Sequence, residues 1–355
     1  MSKYPRIAAF NPDSNTLDTQ DIRTMLASYS LTTRRSFALL SLAFAAAGPT
    51  IAAPYPDRAV TWVVPFAAGG PADALARNIA EKVAEKLGRP IIIDNVGGAG
   101  GTIGAAKVAR APKDGYTFLL GHVGQMAAAP SLYKKLPYDP MKDFEPVFRL
   151  PDTPLLLLVG VNSPYKTAQQ LVAAAKAKPG TINFGNAGIG STSHLVGALF
   201  AQRAGIEVTS VSYKGAAPAM VDVVSGQVDA MFDQSNTALT QVLGGRVRAI
   251  VQTGARRLPQ FADVPTVAEA TIPGFSAVTW YGLYAPEGTP ASVRAAMYSA
   301  YRKALDEPAL RSRLVAQGIQ LLPDEEYSAD ALRKLTADES SRWKGVIGQA
   351  RIVAE

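Results

Sequence analysis

The chain has 355 residues, of which 48% are hydrophobic and 18% charged, the balance of a globular protein with room for two domains of ordinary size. It has no cysteine and only two histidines, His122 and His194, which excludes disulfides and thiolate nucleophiles and argues against a metal centre; no cofactor is expected. Residues 1–53 hold five basic and three acidic residues, so +2 of the net +7 lies there and +5 is spread thinly over the rest, with no basic run to bind nucleic acid.

Taken in chain order, Thr33-Arg34-Arg35-Ser36 directly precedes an apolar stretch from Phe37 to Ala47. That stretch is too short for a bilayer, which takes ~20 residues, and has the size of a signal-peptide core followed by small residues. The arrangement predicts a twin-arginine export signal over residues 1–53, removed after Ala52, with Ala47 the competing cleavage point and Met25 an alternative start. Export would place the mature chain in the periplasm.

The mature chain alternates strand and helix patterns. Ala59–Pro65, Pro90–Ile93 and Thr117–Leu120 read as strands, with helices over Ala72–Leu87 and Thr102–Ala109 between them. A second series follows: the strand Leu155–Val159, the helix Ala168–Lys178, the strand Ile182–Phe184 and the helix His194–Ala204. It continues with the strand Val208–Val211, the helix Ala217–Ser225 and the strands Val228–Phe232 and Val247–Val251. A late strand, Val278–Tyr284, and helices over Ala291–Leu305 and Ser328–Ile347 close the chain. This order predicts an α/β protein of two lobes, each a mostly parallel sheet flanked by helices. Lobe 1 spans residues 54–154 and 278–355, and lobe 2 spans residues 155–277. Ligands of open α/β sheets bind beyond the carboxyl ends of strands, which points to the cleft between the lobes. A hinge is expected at Asp152–Leu156 and Phe275–Val278.

Four loops carry candidate chemistry. Pro65-Phe66-Ala67-Ala68-Gly69-Gly70-Pro71 joins a strand to a helix; its glycines admit close approach, and free N–H groups at a helix start suit an anion. Asp73 reads either as a cleft residue or as a first-turn partner of the helix dipole. Gly97–Gly104 nearly matches a dinucleotide fingerprint, but Ile103 stands where the third glycine belongs, so close backbone packing is the preferred reading. Asn186-Ala187-Gly188-Ile189-Gly190-Ser191-Thr192-Ser193-His194 offers hydroxyls, glycines and a helix start. Ser191 or Ser193 beside His194 would suit a hydrolase, but the nucleophile elbow G-x-S-x-G is absent, and His194 is expected as a helix-start hydrogen-bonding residue. Lys214, in Tyr213-Lys214-Gly215, either meets a carboxylate or is a plain surface lysine. Asp233 either contacts a hydroxyl or ammonium group in the cleft or is a turn residue.

These segments together resemble the Bug family, the extracytoplasmic receptors of tripartite tricarboxylate transporters. The resemblance runs through Val64-Pro65-Phe66 with Gly69-Gly70 and Asp73, Asp114-Gly115-Tyr116-Thr117, Leu136-Pro137-Tyr138-Asp139-Pro140, and Gly188-x-Gly190-Ser191-x-x-His194-Leu195. It continues through Tyr213-Lys214-Gly215, Gly226-Gln227-Val228-Asp229 and Trp280-Tyr281-Gly282. It implies a periplasmic binding protein of the Venus-flytrap kind, type II-like, not an enzyme. Such a protein would be a monomer that hands a small mono- or dicarboxylate to membrane permease subunits. A ligand sensor sharing the same pocket is the alternative. The resemblance places one carboxylate between the Pro65–Gly70 and Gly188–Ser191 loops. The implied ligand set is Phe66, Ala67, Ala68, Gly69, Gly70, Asp73, Asn186, Gly188, Gly190, Ser191, Thr192, His194, Lys214 and Asp233. The chain departs from the family pattern at Asn186, where serine is common, at Ser212, where proline usually precedes Tyr213, and at Ala198, where glutamate is frequent. Neither loop holds Arg or Lys, so neutral donors are expected to do the holding.

Overall fold

The computed structural model describes residues 55–350 and 352, so the expected export signal lies outside the described residues. Its strands are β1 (Val60–Val64), β2 (Ile91–Asn95), β3 (Thr117–His122), β4 (Phe144–Arg149), β5 (Thr153–Gly160) and β6 (Asn183–Asn186). They continue with β7 (Thr209–Ser212), β8 (Ala230–Gln234), β9 (Val247–Gln252), β10 (Val278–Thr279) and β11 (Tyr281–Pro286). One sheet has the order β2-β1-β3-β11-β4; the other has β10-β5-β8-β6-β7, with β9 also on β5.

Period-2 burial explains both sheets. Along β5, Leu155, Leu157 and Val159 join one core with Phe184, Phe200 and Phe232. Leu156 and Leu158 face the opposite way, onto Ala219, Met220 and Val223. Every residue of β5 is buried, as expected for a strand covered on both faces. In β1, Val60, Trp62 and Val64 pack with Ile79, Val83 and Met297 of the helices Pro71–Leu87 and Ala291–Leu305. Val63 points to the other face, with Ala105 and Leu119. Burying each such side chain stabilises by roughly 1.5–3 kcal/mol.

The pairing is mixed where the element order implied mostly parallel sheets. β1 runs parallel to β2 and β3, and β6 parallel to β7 and β8. The antiparallel members are the strands that arrive from the other sheet: β11 opposes β3 and β4, and β5 opposes β8 and β9. The strand expected over Val278–Tyr284 is divided. Val278 and Thr279 pair with Pro154 and Thr153, whereas Tyr281 onward pairs with β3 and β4. The chain thus passes from one sheet to the other at Trp280, and the second sheet begins at Thr153 and ends at Thr279. The helix Ala329–Ala350 lies on the first sheet's side and reaches further: Arg342 donates to the Ser276 carbonyl (3.0 Å) and Gln202 to Gln349 (2.7 Å).

Candidate functional site

The carboxyl ends of β1, β3, β6 and β8 converge on one cavity. Its lining includes Phe66, Ala67, Ala68, Gly70, Pro71 and Ala72 from one side and Ala187, Ser191, Thr192 and Ser193 from another. Gly215–Pro218, Phe232, Asp233 and Gln234 complete the second side, and His122 and Tyr281 the first. The free space, its open mouth included, is about 560 Å³. Four helices begin at this lining: Pro71–Leu87, Thr192–Ala204, Ala216–Ser225 and Ser235–Leu243. A helix start leaves its first N–H groups without intrahelical partners and carries partial positive charge. Among the described residues no Lys or Arg lines the cavity, and its titratable groups are His122, Asp233 and Tyr281.

The first loop is fixed from inside. Asp73 lies behind the lining and is buried; its Oδ2 accepts from the Gly69 N–H at 2.9 Å, and Arg77 Nε donates to both its oxygens at 3.0 Å. Burial opposes ionisation, but the hydrogen bonds from Arg77 and Gly69 outweigh it and hold the carboxyl below its ordinary value. Gly69 takes φ +79°, a conformation that favours glycine, and faces a neighbouring groove. The backbone N–H groups of Ala67 and Ala68 have no acceptor among the described residues.

The second loop is fixed by its own side chains. Ser191 caps the helix by accepting from the His194 N–H at 3.3 Å, and Ser193 Oγ accepts from the Ala187 N–H at 2.9 Å. His194 Nδ1 accepts from the Gly190 N–H at 3.2 Å, and burial lowers the imidazole's pKa, favouring the neutral form. No serine hydroxyl bonds the His194 ring among the described residues: Nδ1 accepts a backbone N–H, which leaves the proton of the neutral ring on Nε2 and no nitrogen to accept from a hydroxyl. Asn186 is buried behind the loop, donating to Ser210 Oγ and the Val211 carbonyl and accepting from the Gly188 N–H. Thr192 is different. Its hydroxyl is buried, lines the cavity and has no partner among the described residues.

Of the residues singled out in the sequence, Phe66, Ala67, Ala68, Gly70, Ser191, Thr192 and Asp233 line this cavity. Asp73, Asn186, Gly190 and His194 stand behind it as scaffolding. Gly188 and the exposed Lys214 line an outer groove with Gly97–Gly101 and Tyr133. Asp233 accepts from Thr237 Oγ1 at 2.8 Å, and burial raises its pKa to about 6. The Gly97–Gly104 segment packs rather than cradling phosphate. Gln125 donates to the Gly100 carbonyl and Tyr133 to the Ala99 carbonyl, both at 2.8 Å, and a Cβ on Gly100 would collide with the Ile189 carbonyl oxygen.

The lining also holds residues outside the expected ligand set, of which His122 and Gln234 bring new donors. His122, at the end of β3, is buried and stacked on Phe66 (4.8 Å between ring centroids, 14° between planes) with the Tyr281 ring edge-on at 5.7 Å. Its Nδ1 accepts from the Gly124 N–H at 2.6 Å, and burial depresses its pKa to about 3. The ring is therefore neutral, with its proton on Nε2, a donor without net charge. Gln234 accepts from the Tyr281 hydroxyl at 2.9 Å through Oε1, leaving its amide N–H groups as further donors. The rule that ligands gather at strand carboxyl ends marks both positions. The strands were predicted to end at Leu120 and Phe232, two residues short of each.

Residues 75–352 match the family model described as tripartite tricarboxylate transporter family receptor. The chain belongs to that receptor family. A protein encoded in the tcbD-tcbE intergenic region of Pseudomonas sp. strain P51 is 39% identical over 301 residues, 84% of this chain and 88% of the relative. MatC from Rhodopseudomonas palustris, solved with bound malate, is 40% identical, has a TM-score of 0.79, and is covered in full by 82% of this chain. The periplasmic binding protein BugD is 37% identical, with a TM-score of 0.80, and is covered in full by 85% of this chain. Within this receptor two departures from the family pattern answer one another: the Ser212 hydroxyl donates to Asn186 Oδ1 at 3.1 Å. A proline at 212 would have no donor to offer there.

Proposed function

We propose that this receptor captures a small carboxylate in the periplasm and delivers it to the membrane subunits of a tripartite transporter, without chemical turnover. The observation that carries this reading is the convergence of four helix starts on a cavity whose lining, among the described residues, holds no Lys or Arg. Unpaired backbone N–H groups, the Thr192 hydroxyl, the His122 Nε2–H and the Gln234 amide supply neutral donors. Hydrogen bonds to a charged group are worth roughly 1.5–3 kcal/mol each, so a few of them account for micromolar affinity, about −8 kcal/mol. Malate bound to MatC supports the ligand class, and the binding-protein relatives support the absence of turnover. In this reading Arg34 and Arg35 direct export, and the mature receptor works as a monomer. Its lobes close about the two places where the chain changes sheet, close to the expected hinge segments: between Arg149 and Thr153, and at Trp280.

A thermal-shift panel of mono- and dicarboxylates tests the proposal. A ligand at ~100 times its dissociation constant adds ~2.7 kcal/mol to stability, and solution scattering with that ligand should show a smaller radius of gyration. A panel in which no carboxylate raises the melting temperature would sink the reading. Hydrolysis of an ester or amide that both Ser191→Ala and His194→Ala abolish would replace it with an enzyme.

A further inference from the structure

Asp233 poses a physical problem that carboxylate capture alone does not solve. Its side chain is 3% exposed and lines the cavity, Thr237 and the Gln234 backbone N–H are what favour its charged form, and no Lys, Arg or His lies within ion-pair reach of it among the described residues. Arg246 lines the groove on the far side of Asp233 without pairing with it. A buried carboxylate without a cation is costly, and it persists where something else compensates it. The remaining polar lining is dominated by donors: backbone N–H groups, the Thr192 hydroxyl, the His122 ring and the Gln234 amide. An ionised carboxylate has only acceptors to offer. The cavity therefore has a donor side suited to an anion and one strong acceptor that an anion would avoid.

We propose that Asp233 makes this receptor select carboxylates that also carry a hydrogen-bond donor, a hydroxyl or an ammonium group, over the same acids without one. The assignment rests on the reading that the cavity holds a ligand's carboxylate. A donor on the ligand pairs with the Asp233 carboxylate and compensates its charge. A plain dicarboxylate leaves that charge uncompensated and brings a second anion near it. Burial raises the acid to about 6, which leaves it mostly ionised at neutral pH and so available as an acceptor.

Calorimetry near neutral pH with two matched series decides the matter: succinate, malate and aspartate, and propionate, lactate and alanine. In the wild type, at least one donor-bearing acid should bind about tenfold or more tighter than its unsubstituted counterpart, as when a buried polar group is otherwise left unpaired. Asp233→Asn keeps the shape and removes the charge, so the preference should shrink to within about threefold, chiefly because the unsubstituted acid improves. An ammonium ligand should lose more than a hydroxyl ligand, since the Asn carbonyl still accepts; this separates the two donors. Removing an unpaired buried charge should also leave the melting temperature unchanged or higher, so a folded variant is expected. Thr237→Val, which keeps the carboxylate but frees it to turn, should narrow the preference partway. A wild type that binds these acids without regard to the donor, or an Asp233→Asn variant that keeps the full preference, overturns the assignment while leaving carboxylate capture standing. A wild type that binds none of them overturns both.

Discussion

The two loops facing the cavity reach the same result by opposite means. The Pro65–Gly70 loop has no polar side chain of its own; a residue from the helix beyond it, Asp73, reaches back to hold Gly69, and Arg77 holds Asp73. The Asn186–His194 loop is rich in polar side chains, and Asn186, Ser193 and His194 each bind the loop's own backbone, while Ser191 caps the helix. In both, what remains open to a ligand is mostly main chain. Serine and histidine side by side in a glycine-rich loop resemble catalytic equipment, yet here they are fasteners.

The largest effect on this comparison is expected at one of the points where the walls touch. Gly100 has φ +61° and lies against the Ile189 carbonyl, so Gly100→Val should hold the cleft apart. Ligand affinity should fall by roughly 100-fold or more, as expected when a binding-competent state is depopulated, and the melting temperature should fall as well, since a β-branched residue is strained at this φ. Calorimetry that finds the affinity unchanged would mean this contact plays no part in binding.

His122 sharpens it next. Its pKa of about 3 in the folded chain lies below ~6.5 for a free histidine, so the unfolded state takes up the proton first as pH falls. The stability due to its burial is complete above ~6.5 and is lost toward the folded value, at about 1.4 kcal/mol per pH unit. His122→Gln removes this charge change and should flatten the denaturation midpoint between neutral and mildly acidic pH. Parallel curves for the two proteins would refute the neutral buried ring.

Ser191→Ala tests the self-fastened loop more gently. Losing an N-cap costs about 1 kcal/mol, read as a lower melting temperature. A variant as stable as the wild type would show that the cap is dispensable. The smallest effect is expected from the exposed Lys214 in the outer groove. Lys214→Met should change affinity by no more than about 1 kcal/mol, whereas a loss of several would move the carboxylate out of the cavity.

Short apolar runs made the two sheets legible, because Leu155–Val159 and Val60–Val64 carry apolar side chains for both faces of a covered sheet. They did not reveal β4, where Pro146 interrupts the pattern. The strand tolerates it because β4 is the sheet edge and its register with β11 shifts at Leu283/Tyr284, passing over Val147. Nor did they show that one continuous apolar segment serves both sheets, since the change of partner at Trp280 has no local signature. In the site, glycine spacing marked both loops and the helix start marked His194 as a hydrogen-bonding residue, while the scaffolding role of Asn186 depends on hydrogen bonds that no spacing encodes. His122 was passed over as a possible metal ligand when its setting is aromatic.

The crossing at Trp280 has an optical consequence. The chain has three tryptophans; Trp62 lies deep in one core, while Trp280 and Trp343 both donate to the same carboxylate oxygen of Glu339, at 3.2 and 2.9 Å. Trp280 therefore sits where the chain passes between sheets, next to Tyr281 of the cavity lining, and shares its acceptor with Trp343 of the last helix. A change in the emission of the unmodified protein when ligand is added should therefore register movement at the crossing without any attached dye.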